Sequence, residues 1–187
     1  MIRKTEINYD LSTGELRGGK VKVSEKKLIA LEGIFEDTKA FKEMDGNTIV
    51  YHVQTHENGE DGKNGGLFFG TSFVHPGKVG DEYFMTKGHF HAKADAGEYY
   101  WCISGHGYLI LQEESGECIA EEMKKGSLHY IPGRCAHRLV NTGDTILSVG
   151  ACWPSDAGHD YAVSTSFNIR IKQKDGKAVI ENKKDLG

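Results

Sequence analysis

Beyond a single stretch near Glu36, helical periodicity is absent from this chain, and short apolar runs punctuated by glycine and charge take over. Runs rich in β-branched and aromatic residues predict strands at Thr48–Gln54, Gly66–Val74, Glu98–Ser104, Tyr108–Gln112, Cys118–Glu122, Ser127–Ile131, His137–Val140 and Thr145–Cys152. Phe167–Gln173 and Lys177–Glu181 predict a closing hairpin, with Lys174-Asp175-Gly176 at its turn. The one helix expected spans Glu36 to Met44, with Asp37 or Thr38 as its cap. Residues 1 to about 30 are polar and irregular apart from a turn signal at Asp10–Gly14. The Gly- and Asn-rich segment Glu57–Gly66 reads as a mobile surface connection. Pro76, Pro132 and Pro154 all fit turns or strand ends, as a β-fold demands. Many short strands with this spacing predict an all-β sandwich or barrel.

A length of 187 residues suits one domain with a sizeable core. Residues 1–45 are expected to form an arm with the short helix, and 46–182 the β-barrel. A net charge of −4 without a basic stripe argues against a nucleic-acid partner. A small anionic ligand would need a local cluster of donors, because the global field does not attract it. No apolar run reaches the length of a membrane span, and Met1–Glu6 has no apolar core behind its basic start, so neither a membrane partner nor a secretory signal is expected. Cys102, Cys118, Cys135 and Cys152 form no CxxC pair, which suggests free thiols in a reducing, cytoplasmic setting. Cys135 lies two residues before His137, but a small buried side chain is its simpler reading.

The residues that carry chemistry are His89, His91, Glu98 and His137. In an extended segment, i and i+2 share a face, so His89 and His91 can converge on one ion. A set of imidazoles with one carboxylate suits iron, manganese, zinc or nickel better than calcium or magnesium. A histidine pair alone is weak evidence and is more often ordinary core or surface. The second block, Gly126…Pro132…His137…Asn141, strengthens it.

Together the two blocks resemble the paired motifs of the cupin superfamily, which implies a jelly-roll β-barrel with few short helices. Two departures are visible. Six residues separate His91 from Glu98, more than is usual in that superfamily, so Lys93 to Gly97 must form a loop if Glu98 is to face the histidines. The usual glycine after Pro132 is Arg134 here, with Gly133 one position early.

The wider wording is more specific. His75-Pro76-Gly77-Lys78-Val79-Gly80, Thr86-Lys87-Gly88-His89-Phe90-His91-Ala92-Lys93, Ala136-His137-Arg138 and Pro154-Ser155-Asp156-Ala157-Gly158-His159-Asp160-Tyr161 resemble the cupin-type glucose-6-phosphate isomerases of archaea and some bacteria. The longer gap before Glu98 is also that family's habit. The resemblance implies reversible interconversion of glucose 6-phosphate and fructose 6-phosphate by a cytoplasmic homodimer. It implies one divalent metal per chain, iron first, held by His89, His91, Glu98 and His137. It places the phosphate near Thr86 and Gly88, with Thr71 or Ser72, Tyr51, His159 and Tyr161, and Tyr100 beside the sugar. Trp153 and Arg134 depart from the family at the pocket rim. Lys87 reads as a solvated charge, and His52, His56, His75, His106 and His129 as surface or incidental.

Aldose–ketose isomerisation moves one hydrogen between C1 and C2 and a proton between O1 and O2. A metal on both oxygens polarises them and holds them cis. Glu98 is then the candidate base for proton transfer through a cis-enediol, and a direct hydride shift is the alternative if the carboxylate stays bound. Other readings of the same ligand set are an iron-dependent cupin dioxygenase, a non-catalytic sugar-phosphate-binding cupin, or isomerisation of mannose 6-phosphate.

Overall fold

A computed structural model describes residues 1–57, 61–161 and 167–182. The chain is predominantly β, with one short α-helix and a 3-10 turn at Leu28–Leu31. Its largest sheet has six strands: β3 (Val21–Lys27), β4 (Ile49–His56), β5 (Leu67–Val74), β8 (Glu98–Ser104), β11 (Leu128–Ile131) and β13 (Leu147–Pro154), in the order β11-β8-β13-β5-β4-β3. Facing it is a three-stranded sheet of β9 (His106–Glu113), β10 (Cys118–Lys124) and β12 (Cys135–Asn141), with β9 central. A third sheet of β6 (Lys78–Val79), β7 (Glu82–Tyr83), β14 (Ile169–Lys174) and β15 (Lys177–Asn182) packs behind it. Every residue of β12 is therefore buried. The described strands form facing sheets around a cavity, and no ladder closes them into a continuous barrel.

Alternation along the large sheet decides what faces the cavity. The register aligns Tyr51 with Val74, and Val74 with Leu147, so odd residues of β4 and β13 share a face with even residues of β5. Tyr100 pairs with Ala151, which puts Glu98, Tyr100 and Cys102 on that face too. The other face is covered by the hairpin of β1 (Ile7–Tyr9) and β2 (Leu16–Gly18). Its turn is the one expected at Asp10–Gly14: the Asp10 carboxylate accepts the Ser12 and Thr13 N–H groups at 2.9 and 3.2 Å. Ser148 Oγ donates to the Thr13 carbonyl at 2.7 Å and fastens the hairpin to the sheet.

All strands predicted from Thr48 onward are present, with ends moved by a few residues. The closing hairpin turns on Asp175 and Gly176, both with positive φ, the two-residue turn that this dipeptide favours. The helix α1 is shorter than expected, Thr38–Glu43, and Asp37 is its cap, accepting from Lys39 and Ala40 N–H at 3.1 and 2.8 Å. Strands β1, β2 and β3 fall where the sequence read as irregular, and β3 belongs to the main sheet. Within the Glu57–Gly66 connection, residues 58–60 lie outside the described residues. Among the described residues no helix is long and apolar enough to cross a membrane.

Candidate metal centre

The segment Lys93–Gly97 is a loop, as the position of Glu98 requires. Ala96 N–H donates to the Lys93 carbonyl at 2.9 Å, and β8 begins at Glu98. Beside it, Arg134 N–H donates to the Ala94 carbonyl at 2.6 Å. The displaced glycine is explained here. Gly133 lies against Asp95 so closely that a Cβ would come within 2.7 Å of its backbone. Arg134, with φ of 60°, takes the left-handed conformation that a glycine would otherwise supply.

His89 and His137 are paired across an antiparallel bridge, with reciprocal backbone bonds of 3.3 and 3.1 Å. Directly opposed residues share a face, so the two rings meet, with centroids 4.4 Å apart. His91 Nδ1–H donates to the Ala96 carbonyl at 2.7 Å, which fixes its tautomer and leaves Nε2 for the centre. One ligand atom each from His89, His91, Glu98 and His137 lies within 4.8 Å of the others. Glu98 Oε1 and His137 Nε2 are 2.7 Å apart, yet both are buried and neither meets hydrogen-bond geometry with any described group. Two such atoms turned toward one point are what a cation satisfies, and three imidazoles with a carboxylate suit a divalent transition metal. The residues present therefore fit the group.

The electrostatics agree. Burial, then the neighbouring His137 and His159 rings, push His89 down to about 2, so it is a neutral donor at physiological pH. Burial would raise the Glu98 carboxyl, but His137 and His91 outweigh it and hold it at about 2. Burial would lower His91, yet its contact with Glu98 raises it overall. The Tyr100 hydroxyl is held far above its ordinary value by burial and by the neighbouring Glu98 charge, so it keeps its proton beside that carboxylate.

The four ligands line a cavity of about 630 Å³ that opens to solvent. The family described as Glucose-6-phosphate isomerase (GPI) matches residues 25–185. Glucose-6-phosphate isomerase of Thermococcus litoralis is 39% identical over 180 residues, covering 94% of this chain and 93% of its own. That of Pyrococcus furiosus is 39% identical over 181 residues, covering 94% of each chain. The protein of that name from Sinorhizobium medicae is 35% identical over 176 residues, covering 92% of this chain and 81% of its own. The chain belongs to the glucose-6-phosphate isomerase family.

In this family member the structure gathers Tyr51, Ser72, Thr86, Gly88, Tyr100, His159 and Tyr161 around the same cavity as the four ligands. Thr71 also borders it, but strand alternation turns its side chain outward, where a Cβ on Gly14 would come within 2.9 Å of its Cγ2. Ser72 is the inward member of that pair. Thr86 Oγ1 accepts from Leu139 N–H at 3.0 Å and keeps its proton to donate. Burial pushes Tyr51 up to about 12, so its hydroxyl stays protonated. His159 and Tyr161 lie nearly parallel, 4° between planes, and His159 stands 4.4 Å from His89 by ring centroid. Gly88, with φ of 75°, leaves room for Phe167. Arg138 braces this segment: its guanidinium lies 4.1 Å over the Phe167 ring and donates to the Lys87 carbonyl at 2.7 Å.

Some expectations hold and others change. Trp153 lines the cavity, packed edge-on against Phe68, but Arg134 does not. It points outward and pairs with Asp95 at 2.9 Å. Lys87 is not simply solvated, since its ammonium sits 5.0 Å over the Tyr161 ring. Cys135 is buried, and no cysteine belongs to the ligand group. Asn141 is a turn brace, donating to Val74 and Thr145 carbonyls at 2.8 Å each. His52 is not incidental: it stacks on Phe73 and lies 3.2 Å from His75 by ring nitrogens.

Nor is His129, which is buried between Glu121 at 2.6 Å and Ser127 Oγ at 2.8 Å. That line has the order of a hydrolase triad. However, Ser127 and Gly126 N–H groups are already bonded to Lys124 and Cys102 carbonyls, so no oxyanion donors are free there. The trio fastens the β10–β11 turn. The sequence also missed Lys22, Ser24 and Lys26 of β3, which reach the cavity mouth. The Val21-Lys22-Val23-Ser24 alternation was the available signal.

Proposed function

We propose that this protein interconverts glucose 6-phosphate and fructose 6-phosphate with one divalent metal held by His89, His91, Glu98 and His137. The observation that carries the reading is the convergence of these four side chains inside a cavity whose wall also presents neutral hydroxyl donors. When bound, a divalent metal supplies Lewis acidity to the sugar's adjacent O1 and O2. The chain's own residues do the rest. His89, His91 and His137 offer ring nitrogens in fixed directions. Tyr51, Ser72, Thr86 and the Gly88 backbone, with His159 and Tyr161, receive the phosphate. The sugar chain lies along Tyr100.

Glu98 is the candidate for moving the C–H proton through a cis-enediol. The alternative, for a carboxylate that stays bound to the metal, is that the hydrogen passes directly between C2 and C1 as hydride and Glu98 serves only as a ligand. Glucose 6-phosphate deuterated at C2 separates the two: retention of the label at C1 of the product supports the hydride path, and full loss to water supports Glu98 as base.

Iron(II) is the metal put first, with manganese, zinc and nickel as rivals. A homodimer follows from the resemblance, and a cytoplasmic location suits four free thiols. The deciding experiment is a coupled assay on fructose 6-phosphate, run before and after chelation, with each metal returned singly. Turnover that is lost and then restored supports the reading. Oxygen uptake without isomerisation, or binding without turnover for every metal, would replace it with a dioxygenase or a binding protein.

A further inference from the structure

The cavity presents neutral donors to a phosphate dianion, which carries a charge of about −1.5 to −2 at neutral pH. The formally charged side chains that line it are Lys22, Lys26, Glu57, Asp61 and Glu98. Only the two lysines are positive, and Lys22 is ion-paired with Glu57. Lys26 makes no ion pair or side-chain hydrogen bond among the described residues.

Its position is set by the fold. Strand β3 is the edge of the six-stranded sheet, and Lys26 is directly opposite Tyr51 in the register. Opposed residues share a face, so the Lys26 stem leaves the sheet on the cavity side, next to the Tyr51 phenol. By register Lys22 and Ser24 share that face; Val23 of the other face also borders the cavity, while Val21, Glu25 and Lys27 are absent from its wall. A lysine here meets the mouth, where a phosphate would lie with Tyr51, Thr86 and Gly88 while the other end of the sugar reaches the histidines.

We infer that Lys26 is the cation that receives the substrate's phosphate, a binding residue at the cavity mouth. This rests on the isomerase reading for its substrate. The ammonium adds a charge-assisted bond to neutral ones and draws an anion into a chain of net negative charge.

The test is Lys26→Gln with metal-loaded protein, beside Lys26→Arg and the control Lys27→Gln, a lysine absent from the cavity wall. Expected for Lys26→Gln is a KM for fructose 6-phosphate raised roughly tenfold with kcat within twofold. Inhibition by inorganic phosphate should weaken by a similar factor. Lys26→Arg should restore most of the loss, and Lys27→Gln should match wild type. KM and phosphate inhibition both within twofold of wild type in Lys26→Gln would overturn the inference. So would a fall in kcat shared by Lys26→Arg, which would mark a structural role. Calorimetric binding of fructose 6-phosphate keeps the two readings apart. Wild-type binding without turnover, weakened in Lys26→Gln, would end the isomerase reading and uphold Lys26. No wild-type binding would end both.

Discussion

Tyr100→Phe removes one hydroxyl and little else. The ring packs edge-on against His137 with centroids 5.6 Å apart, and a phenylalanine keeps that contact. What disappears is the buried phenol proton beside the Glu98 carboxylate, a donor that can orient that ligand. A hydrogen bond to a charged group contributes about 1.5–3 kcal/mol, and an outer partner of a metal ligand typically changes affinity by about 10- to 100-fold. The two magnitudes agree, since 1.4 kcal/mol is about tenfold. The Glu98 carboxylate, no longer aimed, would sample orientations that do not meet the histidines. We therefore expect Tyr100→Phe to bind divalent metal about 10- to 100-fold more weakly in chelator competition. Thermal stability of the metal-free protein should change by less than about 2 kcal/mol. Saturating metal should restore most of kcat if the hydroxyl acts through Glu98. Affinity within twofold of wild type would refute the argument that Tyr100 positions the carboxylate.

Gly133→Ala should destabilise by about 1–3 kcal/mol and weaken metal binding, because the new Cβ displaces the Asp95 loop that carries Ala96 and Glu98; an unchanged thermal midpoint would contradict this. Arg134→Ala, outside the cavity, should leave KM and kcat within twofold, and a large KM change would return Arg134 to the rim. His129→Ala should cost about 2–3 kcal/mol in denaturant unfolding with kcat preserved, since it empties a buried site and removes two side-chain bonds. Metal affinity should fall toward acid pH. The pKa of His91 is raised above 6.5, so its proton begins to compete above that value and competes more below it, whereas His89, at about 2, stays unprotonated. Affinity that is flat from pH 8 to pH 5 would contradict that sign.

The metal ligands were legible because their geometry is local. Histidines at i and i+2 share an extended face, and the Pro132 block brings His137 directly opposite His89 across an antiparallel bridge. The orientation of Ser72 over Thr71 followed only from register, which no single strand reveals. Strand β3 was easy to pass over for a physical reason: its residues alternate, but the face toward the cavity is the polar one and Val21 and Val23 lie on the other, the inverse of an ordinary half-buried strand. The two-residue strands β6 and β7 are too short to show any period. Arg134 misled because the sequence reports a side chain where the fold uses a backbone conformation. His129 gave no signal, since Glu121 reaches it only once β10 and β11 turn back on each other.

Anomalous diffraction from crystals loaded with iron or manganese and fructose 6-phosphate would test the centre most directly. The account predicts one strong peak per chain at bonding distance from His89, His91 and His137 nitrogens and a Glu98 oxygen, with the sugar's O1 and O2 on its open side. A peak elsewhere, or sugar bound in the cavity with no metal among those four side chains, would contradict it.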